Sequence, residues 1–172
     1  MKWALGFFTV LAALLILVVV IGWLLPKEHV ATREGRYRQS PEAVWKAIND
    51  IDAMPGWRAG LKSVKRQPDR NGLQAWVETT DSGIIPFETT VSEPPGKLVV
   101  RIADPKLPFG GTWTYEIHAI PEGSALRITE NGEVYNPIFR FVSRFVLGTT
   151  GTIDAYLNSL AKKFGEPAQI GE

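Results

Sequence analysis

Glu130 is the residue whose type and position in the sequence most suggest chemistry. Strand-like alternation places it on one face with Leu126, Ile128 and Val134. A carboxylate on an apolar face is costly unless it meets a cation, a hydrogen-bond donor or water. We therefore expect Glu130 to pair with Arg140 or to act as a general acid with a raised pKa. The alternative is that a bulge turns this side chain to solvent.

Other chemical groups are sparse in the sequence. There is no cysteine, which excludes disulfides, thiolate metal sites and thiol nucleophiles, and the two histidines, His29 and His118, lie far apart. Motifs of hydrolases, zinc proteases, phosphate-binding loops and dinucleotide-binding folds do not occur. We predict no metal and no cofactor and assign no catalytic residue, although Glu130 remains a candidate. The net charge of +1 gives no support to nucleic-acid binding.

An uncharged apolar run occupies residues 3–25, just before Pro26. As a helix it would be about 34 Å long, enough for a hydrocarbon core of about 30 Å. A cleaved signal peptide would have a shorter apolar region and a small-residue cleavage site, whereas a core helix would carry a polar stripe. We predict a transmembrane anchor over residues 1–26, with residues 3–25 inside the lipid bilayer.

The orientation of this anchor is open to two interpretations. Lys2 precedes the apolar run, while Lys27, Arg33 and Arg36 come after it, so the positive-inside rule places the C-terminal domain in the cytoplasm. A short Met-Lys head before an apolar run is instead typical of a bacterial signal anchor, which exports the domain attached to it. Both interpretations describe a single-pass protein, and the bacterial cytoplasmic membrane is the membrane we expect.

We predict one α+β domain over residues 27–166, followed by a tail over residues 167–172. The alternation of residues 30–38 predicts a strand, Ser40 and Pro41 begin a helix, and a second short helix fits near Pro55. Strand-like runs separated by turns rich in Gly and Pro then occupy residues 61–66, 73–80, 84–92, 97–103, 111–120 and 125–135. Such short connections favour one antiparallel sheet of about seven strands.

The apolar period changes to that of a helix after residue 135. Asn136 and Pro137 form a helix start, and Gly165 is a stop signal. Between them, residues 148–151 (Gly-Thr-Thr-Gly) are weak helix formers at which the helix could bend. We predict one long C-terminal helix of about 27 residues, bent near these residues.

Three segments carry a resemblance to a known family: Ser-Pro-Glu-Ala-Val-Trp at 40–45 with Asp50 and Trp57, Gly-Thr-Trp-Thr-Tyr at 111–115, and residues 128–137. Over residues 29–165 the chain resembles the helix-grip superfamily, also called START-like or SRPBCC, and most closely its polyketide cyclase/dehydrase-like branch. The resemblance implies an α+β helix-grip fold of order β-α-α-β6-α. In that fold a curved antiparallel sheet surrounds the long C-terminal helix, here preceded by one transmembrane helix.

A helix-grip fold implies a deep cavity between sheet and helix that holds a hydrophobic ligand. Side chains on the inner strand faces and on the helix would line it, although aromatic residues at such positions can equally form ordinary core. Glu130 would then hydrogen-bond the ligand. The resulting ligand-binding candidates are Phe87, Trp113, Tyr115, Glu130, Phe145 and Tyr156.

Three functions are compatible with the resemblance, because the superfamily includes lipid carriers, hormone receptors, cyclases and co-chaperones. We expect a membrane-anchored module that binds a lipid, a quinone or a polyketide-like molecule. One alternative is a cyclase or dehydratase in which Glu130 acts with Tyr115 or Arg140 in proton transfer. Another is an interaction module whose cavity is closed by large side chains. The expected partners are the bilayer and the hydrophobic ligand.

Overall fold

The computed structural model describes residues 2–81, 83–148 and 150–171, and has one N-terminal helix followed by an α+β domain. The helices are α1 (Lys2–Leu24), α2 (Pro41–Asn49), α3 (Pro137–Val142) and α4 (Gly151–Lys163). The strands are β1 (Glu28–Tyr37), β2 (Leu61–Arg70), β3 (Leu73–Thr80), β4 (Gly83–Glu93), β5 (Lys97–Ile102), β6 (Phe109–Ile120), β7 (Gly123–Val134) and β8 (Gln169–Gly171). This order confirms the α+β helix-grip architecture, with a short 3-10 turn at Met54–Gly56 where a second helix was predicted.

All described strands belong to one antiparallel sheet of order β2-β3-β4-β5-β6-β7-β1-β8. Seven of them were predicted, and β8 is additional: it lies in residues expected to form a tail and pairs with β1. Strand β7 lies between β6 and β1, so that Glu130 stands opposite Trp113 on one side and Ala31 on the other. Leu126 and Ile128, which share the Glu130 face of β7, are completely buried, so the inward face is the one that alternation predicted.

Helix α4 packs on the inner face of the sheet and forms the centre of the core. Ile153, Leu157 and Leu160 are completely buried, at the i, i+4 and i+7 spacing of one helix face. The Tyr37 hydroxyl donates a hydrogen bond of 3.1 Å to the Leu157 carbonyl, which ties the helix to β1. On the same side of the sheet, Ser40 caps α2 as predicted by accepting a hydrogen bond from the Ala43 backbone N–H.

The C-terminal helix is interrupted where the sequence predicted a bend. Asn136 caps α3 as predicted, and a π-helical turn at Ser143–Leu147 follows directly. Gly148 then adopts a φ of 74°, a left-handed conformation that glycine tolerates and that ends the helix. Helix α4 begins at Gly151, and Thr149 lies outside the described residues. The predicted single helix is therefore two helices, and only α4 covers the core of the sheet.

Helix α1 is long and apolar enough to cross a bilayer, and only 6% of its apolar window, Gly6–Leu24, is buried in the structure. It is therefore not a core helix of the domain. Its last turn packs against α3 at Gly22, where an added Cβ would clash with the Pro137 carbonyl. Arg140 donates hydrogen bonds to the Leu25 carbonyl at 2.8 Å and the Trp23 carbonyl at 3.5 Å. These contacts fix the end of α1 to the domain.

Candidate functional site

A cavity of about 680 Å³ lies between α4 and the inner face of the sheet. This volume falls in the range of small-molecule binding sites. Its buried apolar wall comes from strands β3 to β6 and from the segment that contains α2. The apolar lining includes Ile48, Met54, Trp76, Phe87, Leu98 and Val100. The large side chains of the core therefore leave an apolar space open. An interaction module, the third function considered above, would instead have this cavity closed by large side chains.

Tyr156 of α4 lies at the centre of an aromatic cluster beside this space. Its ring contacts those of Trp113 at 5.9 Å and Tyr115 at 5.7 Å, and Trp57 approaches edge-on at 5.4 Å. The guanidinium of Arg58 lies over the same ring, 5.3 Å from its centre. Such contacts hold large side chains in fixed orientations, so that the cavity wall is rigid on the side of α4.

A buried ion pair forms a polar part of the wall on the side of β3. The Arg58 guanidinium donates to the Glu78 carboxylate at 2.7 Å, and the Trp76 indole N–H donates to the same oxygen at 3.1 Å. The Glu78 side chain is 2% exposed and that of Arg58 is 23% exposed. Burial opposes the charge of Arg58, but the neighbouring carboxylate raises the pKa of the guanidinium above its ordinary value. Arg58 is therefore a permanent cation beside the cavity.

Two buried polar atoms of the lining residues lack a hydrogen-bond partner among the residues that the structure describes: Glu78 Oε2 and the Tyr156 hydroxyl. Burial raises the pKa of both Tyr115 and Tyr156, so each phenol keeps its proton and can donate. The two hydroxyls are close enough to influence each other's pKa, and the Tyr156 hydroxyl has no partner among the described residues within ordinary hydrogen-bond distances and angles. An unsatisfied buried polar group costs about 1–3 kcal/mol, which a ligand hydroxyl or carbonyl could offset.

Glu130 lines the cavity near its more exposed end. The Thr152 hydroxyl donates to Glu130 Oε2 at 3.3 Å, and His29 Nε2 lies 3.7 Å from Oε1. Burial raises the pKa of Glu130, and this effect outweighs the opposing effects of His29, Trp113 and Thr152. Glu130 therefore lies on the inner face, as predicted, rather than on a bulge turned to solvent.

Arg140 is not the partner of Glu130, which corrects one of the sequence-based expectations. Besides its bonds to the end of α1, Arg140 donates to the Tyr135 carbonyl at 3.2 Å. The Arg140 guanidinium donates to backbone carbonyls instead, because the residues that follow α1 and those that precede α3 lie next to it. His29 was not foreseen because it precedes Glu130 by about a hundred residues, and only the pairing of β1 with β7 brings it opposite Gly132.

We expect Glu130→Gln to raise stability near pH 7 and to leave it nearly unchanged near pH 4. An acid whose pKa is raised on folding stabilises the fold while protonated, below its ordinary value of 4.5, and this contribution is lost as pH rises through the raised pKa. The amide mimics the protonated acid at every pH. Thermal melting of both proteins from pH 4 to pH 8 checks this, and an equal melting temperature at every pH would contradict the burial of Glu130.

The structure brings most of the predicted ligand-binding residues to the cavity. Phe87, Trp113, Tyr115, Glu130 and Tyr156 all line it. Phe145 does not: the residue is 60% exposed and its ring packs on that of Phe141 at 5.0 Å, because the helix break separates its turn from α4. Within the described ranges, 2–81, 83–148 and 150–171, no cluster of His, Asp and Glu could hold a metal ion.

Sequence reasoning missed Arg58, Trp76 and Glu78. Arg58 comes after a turn that contains Gly and Pro, and Glu78 lies in a strand of which half the residues are polar, a composition that suggests exposure to solvent. One signal was available: Trp76 and Glu78 share a strand face, and because tryptophan is usually buried, this face is expected to point inward and to carry a carboxylate. The cation that balances Glu78 could not be inferred, because it comes from a loop.

An antiparallel sheet that holds a helix over an apolar cavity defines a helix-grip domain. The sequence profile of the family described as "Polyketide cyclase / dehydrase and lipid transport" matches residues 32–165, most of the chain. The chain belongs to this family. A comparison with curated protein sequences found no match.

Solved structures with the same fold share little sequence with this chain. The di-domain ARO/CYC StfQ from the steffimycin biosynthetic pathway is 16% identical with a TM-score of 0.59, over 79% of this chain and 52% of that one. This chain thus spans about half the length of StfQ. Norcoclaurine synthase from Thalictrum flavum is 14% identical with a TM-score of 0.62, over 81% and 87%. A protein from Mesorhizobium loti is 16% identical with a TM-score of 0.59, over 80% and 97%.

Proposed function

We propose that this protein is a membrane-anchored binding domain that holds a hydrophobic small molecule in the cavity between its sheet and α4. The observation that carries the proposal is the open, largely apolar cavity of about 680 Å³ with a buried polar group in its wall. Lipids, quinones and polyketide-like molecules all fit this description. The family description, which includes lipid transport, agrees with such a role.

The polar wall favours a ligand with a hydroxyl or carbonyl group at one end. Arg58 and Glu78 neutralise each other at 2.7 Å, so this pair presents no net charge to the cavity. Glu78 Oε2 accepts and the Tyr156 hydroxyl donates or accepts, and both are without partners in the described part of the chain. A neutral hydroxyl or phenol would satisfy them without the desolvation cost of a charged headgroup.

The membrane part of the proposal depends on α1. Its length and apolar composition suit a bilayer span, and its side chains remain exposed beside the domain. Trp3 and Trp23 are 93% and 73% exposed near its two ends, positions that suit the two membrane interfaces. Anchoring would keep the domain next to the phase in which a hydrophobic ligand is concentrated.

We expect Ala155→Phe to weaken binding of a fluorescent apolar probe at least tenfold, because Ala155 is an exposed residue of α4 that lines the cavity. A tenfold loss corresponds to about 1.4 kcal/mol. Asn158→Phe is the matched control, since Asn158 is exposed on the same helix and does not line the cavity. Titration of the full-length variants in detergent measures the effect. Equal affinities would mean that the probe, and by inference the ligand, binds elsewhere.

We expect the full-length protein to stay in the membrane fraction after alkaline carbonate extraction. The 23 residues of α1 should remain embedded, whereas a cleaved leader would release the domain. N-terminal sequencing of the extracted protein is the control. Recovery in the aqueous phase, or a mature N-terminus beyond residue 25, would contradict membrane anchoring. It would not affect the proposal that the cavity binds a ligand.

Catalysis by Glu130 is the second candidate function. Burial raises the pKa of this carboxyl, which suits a general acid, and the His29 ring lies 3.7 Å away, where it could serve as a second proton carrier. A cyclase or dehydratase would lose roughly 100-fold or more in rate in Glu130→Gln while keeping ligand affinity. A pure binding protein would show no turnover of its bound ligand in either form.

A further inference from the structure

The exposed apolar side chains of the domain are concentrated where it meets α1. Outside α1, the large apolar residues that the described structure leaves exposed are Val30, Ile84, Tyr135, Ile138, Phe139 and Phe145. All except Ile84 lie either at the start of β1, directly after α1, or within residues 135–145. Soluble domains rarely group such residues on one surface without a partner. We call residues 135–145, which contain α3, the juxtamembrane segment.

Helix α3 is fixed at the depth of the last turn of α1. Gly22 contacts the Pro137 backbone so closely that any side chain at Gly22 would clash with it. From the next turn of α3, Arg140 bonds to the Leu25 and Trp23 carbonyls. A helix held against the end of a membrane span must lie in the interface region of the bilayer, where amphipathic helices place their apolar side chains.

The charges beside α3 fit an anionic lipid surface. Lys27 and Arg144 line a smaller cavity of about 390 Å³ beside Pro26, at the junction of α1 and the domain. Basic side chains at this depth are attracted to lipid phosphates. Glu28 is the acidic residue of the same lining, so the local balance is still basic.

The entrance of the large cavity is next to the juxtamembrane segment. Most of the exposed residues that line the cavity come from α3, the start of α4 and the loop before β6: Pro108, Phe139, Gly148, Gly151, Thr152 and Ala155. The Pro108 carbonyl accepts a hydrogen bond of 2.9 Å from the Tyr135 N–H, which joins the loop to the segment. Because the helix breaks at Gly148, no continuous helix covers this side of the cavity.

We propose that the juxtamembrane segment is a second membrane contact, with Phe139 and Phe145 inserted among lipid headgroups, and that the cavity opens onto the bilayer surface. The partner is the lipid bilayer that α1 crosses, so the inference rests on the proposed anchoring. Its consequence is that a hydrophobic ligand enters and leaves through the membrane, without passing through water. The proposal deepens the binding function by naming the ligand's route.

The absence of cysteine in the chain allows a direct test by site-specific labelling. Phe139→Cys and Phe145→Cys would each carry an environment-sensitive fluorophore in the full-length protein, reconstituted into nanodiscs that contain anionic lipid and nitroxide-labelled lipid. Ile84→Cys is the matched control, an equally exposed apolar position in β4, and Trp23→Cys reports on the end of α1. These positions are exposed, so the labels should not disturb the core.

We expect the labels at 139 and 145 to lose most of their fluorescence, nearly as much as the label at 23, while the label at 84 keeps it. Labels at 139 and 145 that behave like the label at 84, with the label at 23 quenched, would overturn the second contact and leave the anchor intact. An unquenched label at 23 would show that α1 itself is not in the bilayer, and both the anchoring and this inference would then fail.

Discussion

Replacing Leu157 by aspartate should leave the domain unfolded at room temperature or lower its melting temperature drastically. Leu157 is completely buried on the face of α4 that packs against the sheet, and its carbonyl accepts the Tyr37 hydroxyl. The substitution removes a core side chain and buries an unpaired charge, at a combined cost of at least about 4 kcal/mol. That is a large part of the roughly 5–15 kcal/mol by which domains of about this size are typically stable.

The matched control is Asn158→Asp, the same new residue at the adjacent, exposed position of α4. It loses only the bond from the Asn158 amide to the Asp154 carbonyl, so its effect should be below about 1 kcal/mol. Tryptophan fluorescence during thermal melting reports on the domain rather than α1, since four of the six tryptophans lie in the domain. Similar melting temperatures for Leu157→Asp and the wild type would mean that α4 does not form the core.

Arg58→Met should destabilise the domain by about 3 kcal/mol, the second-largest effect we expect. The substitution leaves the 2%-exposed Glu78 side chain without its cation, and breaking a buried pair from one side costs far more than the pair itself contributes. It also removes the cation over the Tyr156 ring. In the double variant Arg58→Met/Glu78→Met most of the loss should be recovered, because no uncompensated charge remains.

Arg66→Met provides a control with the same bond length and a different environment. Arg66 also bonds to a carboxylate at 2.7 Å, that of Asp52, but the two side chains are 49% and 60% exposed. Exposed pairs contribute at most about 1 kcal/mol. Chemical denaturation of the four proteins separates the two cases. Equal losses for Arg58→Met and Arg66→Met would contradict a buried charge pair in the cavity wall.

Most of the fold could be read from the sequence because local signals and tertiary packing agree. Alternation in residues 125–135 predicted the correct inward face of β7, and Ser40 and Asn136 cap the helices they were expected to cap. Strand β8 was not predicted, since three residues near a chain end carry too little pattern. It forms because the edge of β1 is open and antiparallel pairing there satisfies backbone groups.

The helix break shows where local reasoning reached its limit. The weak helix formers at residues 148–151 indicated a bend, but periodicity could not show that α3 would leave the sheet and pack on α1. Phe145 was assigned to the cavity because its spacing continues the apolar stripe of the helix. The left-handed Gly148 interrupts that stripe, and the contact between Gly22 and Pro137, which are far apart in sequence, decides the position of α3.

The candidate site was predictable on its apolar side and not on its polar side. Phe87, Trp113 and Tyr115 could be assigned from strand alternation, which is a local pattern. The pair of Arg58 and Glu78 depends on a loop reaching across to β3, and His29 reaches Glu130 only through the pairing of β1 with β7. The partners of these buried charges come from distant segments. A single sequence therefore shows which charge needs a partner but does not identify the residue that pairs with it.

Native mass spectrometry of the full-length protein, purified in mild detergent, tests the central claim most directly. The cavity should retain one molecule on the order of a few hundred daltons, apolar with a hydroxyl or carbonyl group. Ala155→Phe should lose this molecule, and Asn158→Phe should keep it. A wild-type mass equal to that of the bare chain, or the same molecule bound equally by both variants, would contradict a ligand held between the sheet and α4.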